Sequence, residues 1–212
     1  MTGRAETYAE LARRILAGPA RLGATRLVAV DGPSGAGKTV FTGRLAGALA
    51  AAIGTPPPVV RTDDLLDGWS DQFTFWPRLD DWVLAPLRAG RPGRYRRYSW
   101  LRGEFTPAWV PVPAGAVVLL EGVSAARAAI RPELTLAVFV TAPERLRLDR
   151  ALARDGDHLL PHLRRWRRGE DVHFAADRTA EHADLVVDGA PELNHDPTTR
   201  YVRAGGSDGP FT

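Results

Sequence analysis

The sequence predicts an α/β fold in which a five-stranded, mostly parallel sheet has helices on both faces. Short apolar runs alternate along the chain with helix-like stretches, the order that produces a parallel sheet covered on both sides. The first apolar run ends in a glycine-rich turn, and two later runs end in acidic residues, where open parallel sheets place their sites. The predicted strands span residues 26–30, 59–62, 116–120, 135–140 and 184–187.

Length and composition favour one cytoplasmic domain. The chain has 212 residues, and we predict a single domain over residues 1–204 and a disordered tail at 205–212. It has no cysteine, and its five histidines lack metal-ligand spacing, so neither a disulfide framework nor a zinc site is expected. Charges interrupt the first 17 residues, and no apolar run approaches the roughly 18 residues of a membrane span. A formal charge of +3 does not by itself imply nucleic acid, and a homodimer is left open.

Helices are predicted between the strands from apolar spacing and from their stop signals. The opening helix stops at Gly18-Pro19, and the second stops at Gly54 and a triple proline. Residues 90–113 mix aromatic side chains and arginines with glycines and prolines, and we predict an irregular segment there. The predicted helices span residues 5–17, 38–53, 80–89, 143–154 and 159–176.

The turn after the first strand has the complete pattern of a phosphate-binding loop. Its glycines let backbone amides converge on phosphates, and the N-terminus of the following helix adds partial positive charge. The only lysine of the chain is placed to neutralise the outer phosphates, and the threonine hydroxyl to bind magnesium. The alternative is a glycine-rich strand-to-helix turn that binds nothing. The loop comprises Gly32, Pro33, Ser34, Gly35, Ala36, Gly37, Lys38 and Thr39.

Carboxylates follow three of the predicted strands. Asp63 follows the second strand and is our candidate general base, and it is also a candidate for binding the metal. Asp64 is a candidate for substrate binding. Glu121 follows the third strand and is a candidate for the magnesium shell. Asp31 is expected to brace the loop. The alternatives are aspartates that merely begin a turn and a glutamate that meets solvent.

Two groups of arginines are candidates for phosphate or substrate contacts. Arg147, Arg150 and Arg154 have helical spacing on one face, and we predict that Arg150 and Arg154 stabilise the transferred charge while Arg147 binds nucleotide. A helical lid is predicted at about 154–170. The alternative is a solvated face paired with Glu144 and Asp149. Residues 91–102 form the second group, which either contacts a nucleobase or nucleic acid or forms a surface hairpin.

With these residues in place, the chain resembles the uridine kinase-like branch of P-loop kinases, which includes phosphoribulokinase and pantothenate kinase. Compact actinobacterial proteins of this branch are the most similar. The resemblance implies the P-loop NTPase fold, ATP and Mg²⁺ as cofactors, Asp63 as the base and an arginine helix that leads into a lid. Four segments carry it, namely residues 32–39, 63–69, 121–125 and 147–189.

The chain departs from this family where the nucleoside is recognised. Uridine kinases usually have a tyrosine-aspartate-aromatic segment with a nearby histidine, whereas this chain has Tyr98-Ser99-Trp100 and no histidine there. We therefore take Trp69, Arg97, Tyr98 and Trp100, with Asp64, as candidates for lining an acceptor site.

The sequence thus predicts transfer of the γ-phosphoryl group of ATP to a hydroxyl of a small molecule, with uridine or cytidine first. One alternative is a kinase for another hydroxylated metabolite or an antibiotic. A second is an ATP- or GTP-hydrolysing switch that phosphorylates no acceptor. A third is a nucleic-acid binder that uses residues 91–102, although nucleic acid is not the expected partner.

Overall fold

A computed structural model describes residues 3–205, and a seven-stranded sheet runs through its centre. Its order is β1-β9-β8-β7-β2-β6-β3. The strands are β1 (Arg4–Thr7), β2 (Arg26–Asp31), β3 (Val59–Arg61), β6 (Val117–Glu121), β7 (Leu134–Thr141), β8 (Leu185–Asp188) and β9 (Arg200–Arg203). A separate hairpin contains β4 (Gly93–Ser99) and β5 (Glu104–Val112).

The five predicted strands are the parallel part of this sheet. β2 lies between β6 and β7, with Val28 opposite Leu119 on one side and Leu136 on the other. Five of its six residues are buried, because helices cover both faces. The prediction of an α/β fold with a mostly parallel sheet is therefore confirmed.

Two short antiparallel strands extend the sheet beyond the predicted five. β1 pairs with β9, which places Glu6 opposite Tyr201, and β9 pairs with β8. Both strands have four residues with charged side chains at several positions, so neither shows the apolar run by which a buried strand is recognised. β1 also displaces the start of the opening helix from residue 5 to Tyr8, where Thr7 caps it by accepting a hydrogen bond from the Glu10 amide.

Helices cover the two faces of the sheet and form two apolar clusters. The helices are α1 (Tyr8–Ala17), α2 (Lys38–Ile53), α3 (Trp76–Leu79), α4 (Ala85–Arg88), α5 (Glu144–Asp155) and α6 (Leu160–Asp177), with a π-helical turn (Asp80–Leu84) between α3 and α4. Val28 and Val30 point to the α1 and α2 side, whereas Leu27 and Ala29 point to the other side. Successive strand residues thus serve opposite faces.

The hairpin replaces the irregular segment predicted for residues 90–113. β4 and β5 pair antiparallel, and Tyr95 is buried against the cluster that contains Leu27. The prediction of an irregular segment is therefore wrong, and the alternative of a hairpin agrees with the structure. Arginines and prolines hid its alternating pattern, because Arg94 and Arg96 occupy the outer face and stack on Trp109.

The chain ends were predicted to contain a charged opening segment and a disordered tail. Of the tail, only Gly205 is described, and residues 206–212 lie outside the described part. Within residues 3–205, no helix combines the length and apolarity needed to cross a membrane.

Truncation of Leu119 tests the central packing. Leu119 is 0% exposed in β6, so we expect Leu119→Ala to lower the free energy of unfolding by about 2–5 kcal/mol. Leu101→Ala is the matched control, because Leu101 is 98% exposed at the hairpin turn and should change this free energy by less than about 0.5 kcal/mol. Urea unfolding followed by circular dichroism measures both, and equal losses would contradict the packing described.

Candidate active site

The turn from β2 to α2 has the backbone geometry of a phosphate-binding loop. Gly32 has a φ of 136°, and a Cβ atom there would lie 2.1 Å from the Val140 carbonyl oxygen. Gly35 has a φ of 78°, and a Cβ atom there would lie 2.3 Å from the Arg147 carbonyl oxygen. Only glycine fits both positions. Gly37 precedes α2 without a side-chain cap, so the first amides of this helix are available to an anion.

Lys38 and Thr39 begin α2 and face the end of β6. The Lys38 ammonium group is buried and donates to the carbonyl oxygens of Gly32 at 2.7 Å and Pro33 at 3.1 Å. The Thr39 hydroxyl donates to Glu121 Oε1 at 3.2 Å, and Arg61 lies 3.4 Å from Oε2 of the same carboxylate. Burial raises the pKa of Glu121. A hydroxyl and a carboxylate in contact are oxygen donors that suit Mg²⁺.

Asp31 holds the loop against the segment that follows β6. Its carboxylate is fully buried and accepts hydrogen bonds from the amides of Gly32 at 2.6 Å, Ser124 at 3.0 Å and Ala126 at 2.8 Å. Burial raises its pKa to about 7, against the opposing effect of these amides and of Lys38. These contacts agree with the expectation that Asp31 braces the loop.

A cavity of about 400 Å³ opens beside the loop and is named here the tryptophan cavity. It contains five of the site residues predicted outside the loop, namely Asp63, Asp64, Trp69, Trp100 and Arg154. Ser34 of the loop, Asp155, Leu159, Leu163 and Trp166 complete its lining. The structure thus joins the second predicted strand end, the predicted lid and the phosphate loop around one space.

Asp63 and Asp64 lie in a 3₁₀ turn (Thr62–Asp64) directly after β3. Asp63 is exposed to this cavity, whereas Asp64 is half-buried and is held by the Tyr95 hydroxyl at 3.3 Å and by Arg97 Nε at 3.5 Å. Burial raises the pKa of Asp64, although Arg97 opposes the shift. The two adjacent carboxylates therefore have different surroundings, and Asp63 is the more accessible one.

Aromatic rings form one wall of the tryptophan cavity. The Trp69 ring lies 5.1 Å from Trp100 and 5.7 Å from Trp166, both edge-on, and stacks on His162 at 5.2 Å. Trp100 is held by its indole nitrogen, which donates to the Asp63 carbonyl oxygen at 3.3 Å. Tyr98 does not line the cavity but packs against Trp100 at 5.3 Å.

The three predicted arginines of α5 lie in three different surroundings. Arg154 makes two hydrogen bonds of 2.7 Å to Asp155, and these bonds, with the charges of Asp63 and Glu121, raise its pKa. Arg150 instead donates to the carbonyl oxygens of Gly35 and Gly189, both at 3.1 Å. Arg147 donates to the Ala142 carbonyl oxygen at 3.1 Å.

Arg150 belongs to a second cavity of about 420 Å³, on the other side of the loop. Gly37, Val40, Gly189 and His195 also line this space, named here the Arg150 cavity. The structure therefore separates Arg150 from Arg154, although the sequence predicted the same role for both.

Sequence reasoning missed Glu170 and Trp166 of α6. Glu170 is 0% exposed and accepts hydrogen bonds from the Ser34 amide at 3.0 Å, from the Ser34 hydroxyl, and from Trp166 Nε1 at 2.9 Å. Burial raises the pKa of Glu170. The available signal was the spacing of four residues, which places a tryptophan and a glutamate on one face of an otherwise arginine-rich helix.

No model of a known protein family matches this chain. Two inorganic pyrophosphatases of Arabidopsis thaliana, TTM1 and TTM2, are 31% identical over 137 residues and 32% identical over 136 residues. Each match covers 61% of this chain and 20% of the plant protein, so the chain spans about a fifth of the length of the curated relatives it matches.

Three solved structures share the fold over most of both chains. A possible uridine kinase from Bacillus stearothermophilus has a TM-score of 0.63 and 19% identity, covering 84% of this chain and 96% of its own. A structure proposed to be a fructose transport system kinase, from Silicibacter sp. TM1040, has a TM-score of 0.56 and 23% identity, covering 85% and 98%. The D-glycerate 3-kinase of Cryptococcus neoformans has a TM-score of 0.50 and 13% identity, covering 88% and 90%.

The chain therefore has the α/β fold found in P-loop kinase structures. The solved structures that share this fold are named for uridine, fructose transport and D-glycerate, and they do not confirm the actinobacterial branch suggested by the resemblance.

Replacement of Asp31 tests the brace behind the loop. The asparagine amide would keep one acceptor oxygen and lose the other, so we expect Asp31→Asn to lower the free energy of unfolding by about 1–3 kcal/mol at pH 8. Asp149→Asn on the exposed surface of α5 is the control with the same chemical change and should have little effect. Urea titration measures the free energy of unfolding of both variants. If Asp31→Asn leaves this free energy unchanged, the amide contacts do not stabilise the fold.

Proposed function

We propose that this protein is an ATP-dependent kinase that transfers the γ-phosphoryl group to a hydroxyl of a small molecule. The observation that carries the proposal is the tryptophan cavity, which brings Asp63, Arg154 and Ser34 of the phosphate loop to one space. A cavity of this size beside the loop leaves room for an acceptor, which a switch that only hydrolyses nucleotide does not need. The cavity is within the range of small-molecule sites.

The phosphates of ATP are assigned to the loop amides and Lys38. Bound Mg²⁺ would neutralise the phosphate charge, and Thr39 and Glu121 would hold it, with Asp63 as the other predicted carboxylate near the metal. The Arg150 cavity lies at the other end of the loop and is assigned to the base and ribose of the nucleotide. Arg150 and Arg147 then belong to the nucleotide half of the site.

The acceptor is assigned to the tryptophan cavity. Asp63 is accessible there and can take the proton of an acceptor hydroxyl while it orients that hydroxyl toward the phosphate. Arg154 is the arginine of α5 that is close to Asp63 and Glu121, so it is our candidate for stabilising the transferred charge. It lies at the start of the proposed lid, residues 154–170, in which Leu159 and Leu163 also line the cavity.

The cavity favours an acceptor with a flat or apolar body and a free hydroxyl. Trp69 and Trp100 supply ring surfaces, and Asp64 supplies a polar group, while Arg97 does not line the cavity and acts through its ion pair with Asp64. Uridine and cytidine meet this description, and other hydroxylated metabolites and antibiotics are the alternative acceptors. Tyr98 contributes through Trp100, on which it packs.

Loss of the proposed base tests the reaction. Asp63→Asn is expected to lower transfer by roughly 10²–10⁴-fold, because the hydroxyl loses its proton acceptor, while affinity for ATP is retained, since Lys38 and the loop amides are unchanged. Mass spectrometry of products from a panel of nucleosides and other hydroxylated metabolites measures transfer, and calorimetry measures nucleotide binding. Asp67→Asn, an exposed aspartate of the same segment, is the matched control.

Three outcomes of this panel contradict the proposal or a part of it. Transfer that survives Asp63→Asn removes Asp63 as the base. Hydrolysis of ATP or GTP without any phosphorylated acceptor favours the switch. Hydrolysis of inorganic pyrophosphate in place of ATP-dependent transfer would favour the activity for which the two plant relatives are named.

Removal of a ring surface tests the acceptor site. Trp69→Leu is expected to raise the KM for the acceptor about tenfold and to leave the KM for ATP unchanged, since one stacking surface of this kind contributes on the order of 1–3 kcal/mol. Trp109→Leu is the control, because Trp109 stacks under Arg94 and Arg96 on the outer face of the hairpin. Equal effects on both KM values would contradict the assignment of the tryptophan cavity to the acceptor.

A further inference from the structure

Glu170 makes a contact that the proposed reaction does not use. It is a fully buried carboxylate on α6, and its donors are an amide, a hydroxyl and an indole N–H, all of which are neutral. A buried carboxylate held by neutral donors is costly to maintain. Its donors come from two different parts of the site, since Ser34 belongs to the phosphate loop and Trp166 to the wall of the tryptophan cavity.

α6 is also docked on the acceptor side of the site by contacts that include Trp166. Gln72 Nε2 donates to the Trp166 carbonyl oxygen at 3.0 Å, and the Trp69 ring lies 5.7 Å from the Trp166 ring. A Cβ atom at Gly169 would lie 2.4 Å from Gln72 Oε1, so α6 passes close to the Gln72 side chain. Gln72 and Trp69 therefore hold Trp166, and a movement of Trp166 would disturb both contacts.

The phosphate loop is the other end of this connection. Ser34 presents both its amide and its hydroxyl to Glu170. A triphosphate on the loop brings negative charge toward this carboxylate and draws the loop amides to itself. Both effects weaken the hydrogen bonds from Ser34 to Glu170. The same Glu170 carboxylate accepts a hydrogen bond from Trp166 Nε1, so a change at Ser34 reaches Trp166.

We propose that Glu170 is a positioning residue that couples the nucleotide site to the acceptor site. It fixes Ser34 and Trp166 in one hydrogen-bonded unit, so occupancy of the phosphate loop is transmitted to the wall of the tryptophan cavity. This inference rests on the proposed binding of ATP at the loop, but it concerns a residue to which that proposal gives no role.

The coupling can be measured without knowing the acceptor. The full chain is labelled with 5-fluorotryptophan, and the Trp166 resonance among its six tryptophans is assigned with Trp166→Phe. ATP with Mg²⁺ is added to saturation, which calorimetry establishes. We expect the Trp166 fluorine resonance to shift in the wild type and in Asp171→Asn, an exposed carboxylate next along the helix, and to stay unshifted in Glu170→Gln.

Trp82 and Trp109 are internal references, because they pack on each other at 5.2 Å in the hairpin region, away from Glu170. If Trp166 shifts equally in the wild type and in Glu170→Gln, or stays unshifted in a saturated wild type, the coupling is refuted while the proposed function stands. If the wild type binds no ATP, the proposed function and the coupling both fail.

A second variant keeps the inference testable if Glu170→Gln does not fold. Ser34→Ala removes the hydroxyl donor to Glu170 and leaves the amide donor in place. We expect the Trp166 shift at saturation to be smaller than in the wild type, since one of the two kinds of contact from Ser34 to Glu170 is lost. A full wild-type shift in Ser34→Ala would overturn the proposal, because removing a donor to Glu170 would then leave the effect on Trp166 unchanged.

Discussion

The position of Asp31 is the constraint on which the rest of the site depends. Asp31 is the last residue of the central strand β2. Its carboxylate accepts hydrogen bonds from an amide of the loop on one side and from two amides of the segment after β6 on the other. Thr39 ends that loop at the start of α2, Glu121 ends β6, and the Thr39 hydroxyl lies 3.2 Å from the Glu121 carboxylate. Without a buried acceptor at this point, three amides would lose their partners together. The brace thus sets the geometry of the predicted metal ligands without touching them.

The parallel order of β2, β6 and β3 extends this arrangement to the acceptor side. Neighbouring parallel strands end at the same edge of the sheet, so Asp31, Glu121 and Asp63 follow three adjacent strands. The Gly122 backbone supports the same edge, since its φ is 144° and a Cβ atom there would lie 1.8 Å from the Thr62 hydroxyl. Strand order therefore places the proposed base, the predicted metal ligand and the buried Asp31 at one edge of the sheet.

The parts of the fold and site that the sequence predicted are those with a local cause. The five parallel strands are continuous apolar runs, and the loop needs glycines at fixed spacing, so both can be recognised within a few residues. The pairing of β1 with β9 joins Glu6 to Tyr201, and the contact of Glu170 with Ser34 spans 136 positions. Such contacts depend on how the packed elements meet, and no local spacing encodes them. The hairpin was only an alternative interpretation for a related reason, since burial of Tyr95 depends on the cluster beneath it.

The arginines of α5 show how a correct pattern can still lead to an incomplete assignment. Helical spacing places Arg147, Arg150 and Arg154 near one face, but each residue advances about 1.5 Å along the axis, so Arg147 and Arg154 are separated by roughly 10 Å. That length is comparable with the distance from the base of a bound nucleotide to its terminal phosphate. α5 therefore runs beside the phosphate loop, with Arg150 at Gly35 and Gly189 and Arg154 near Asp63. A helix in this position contacts both proposed halves of the site, and helical spacing alone does not assign each arginine to one half.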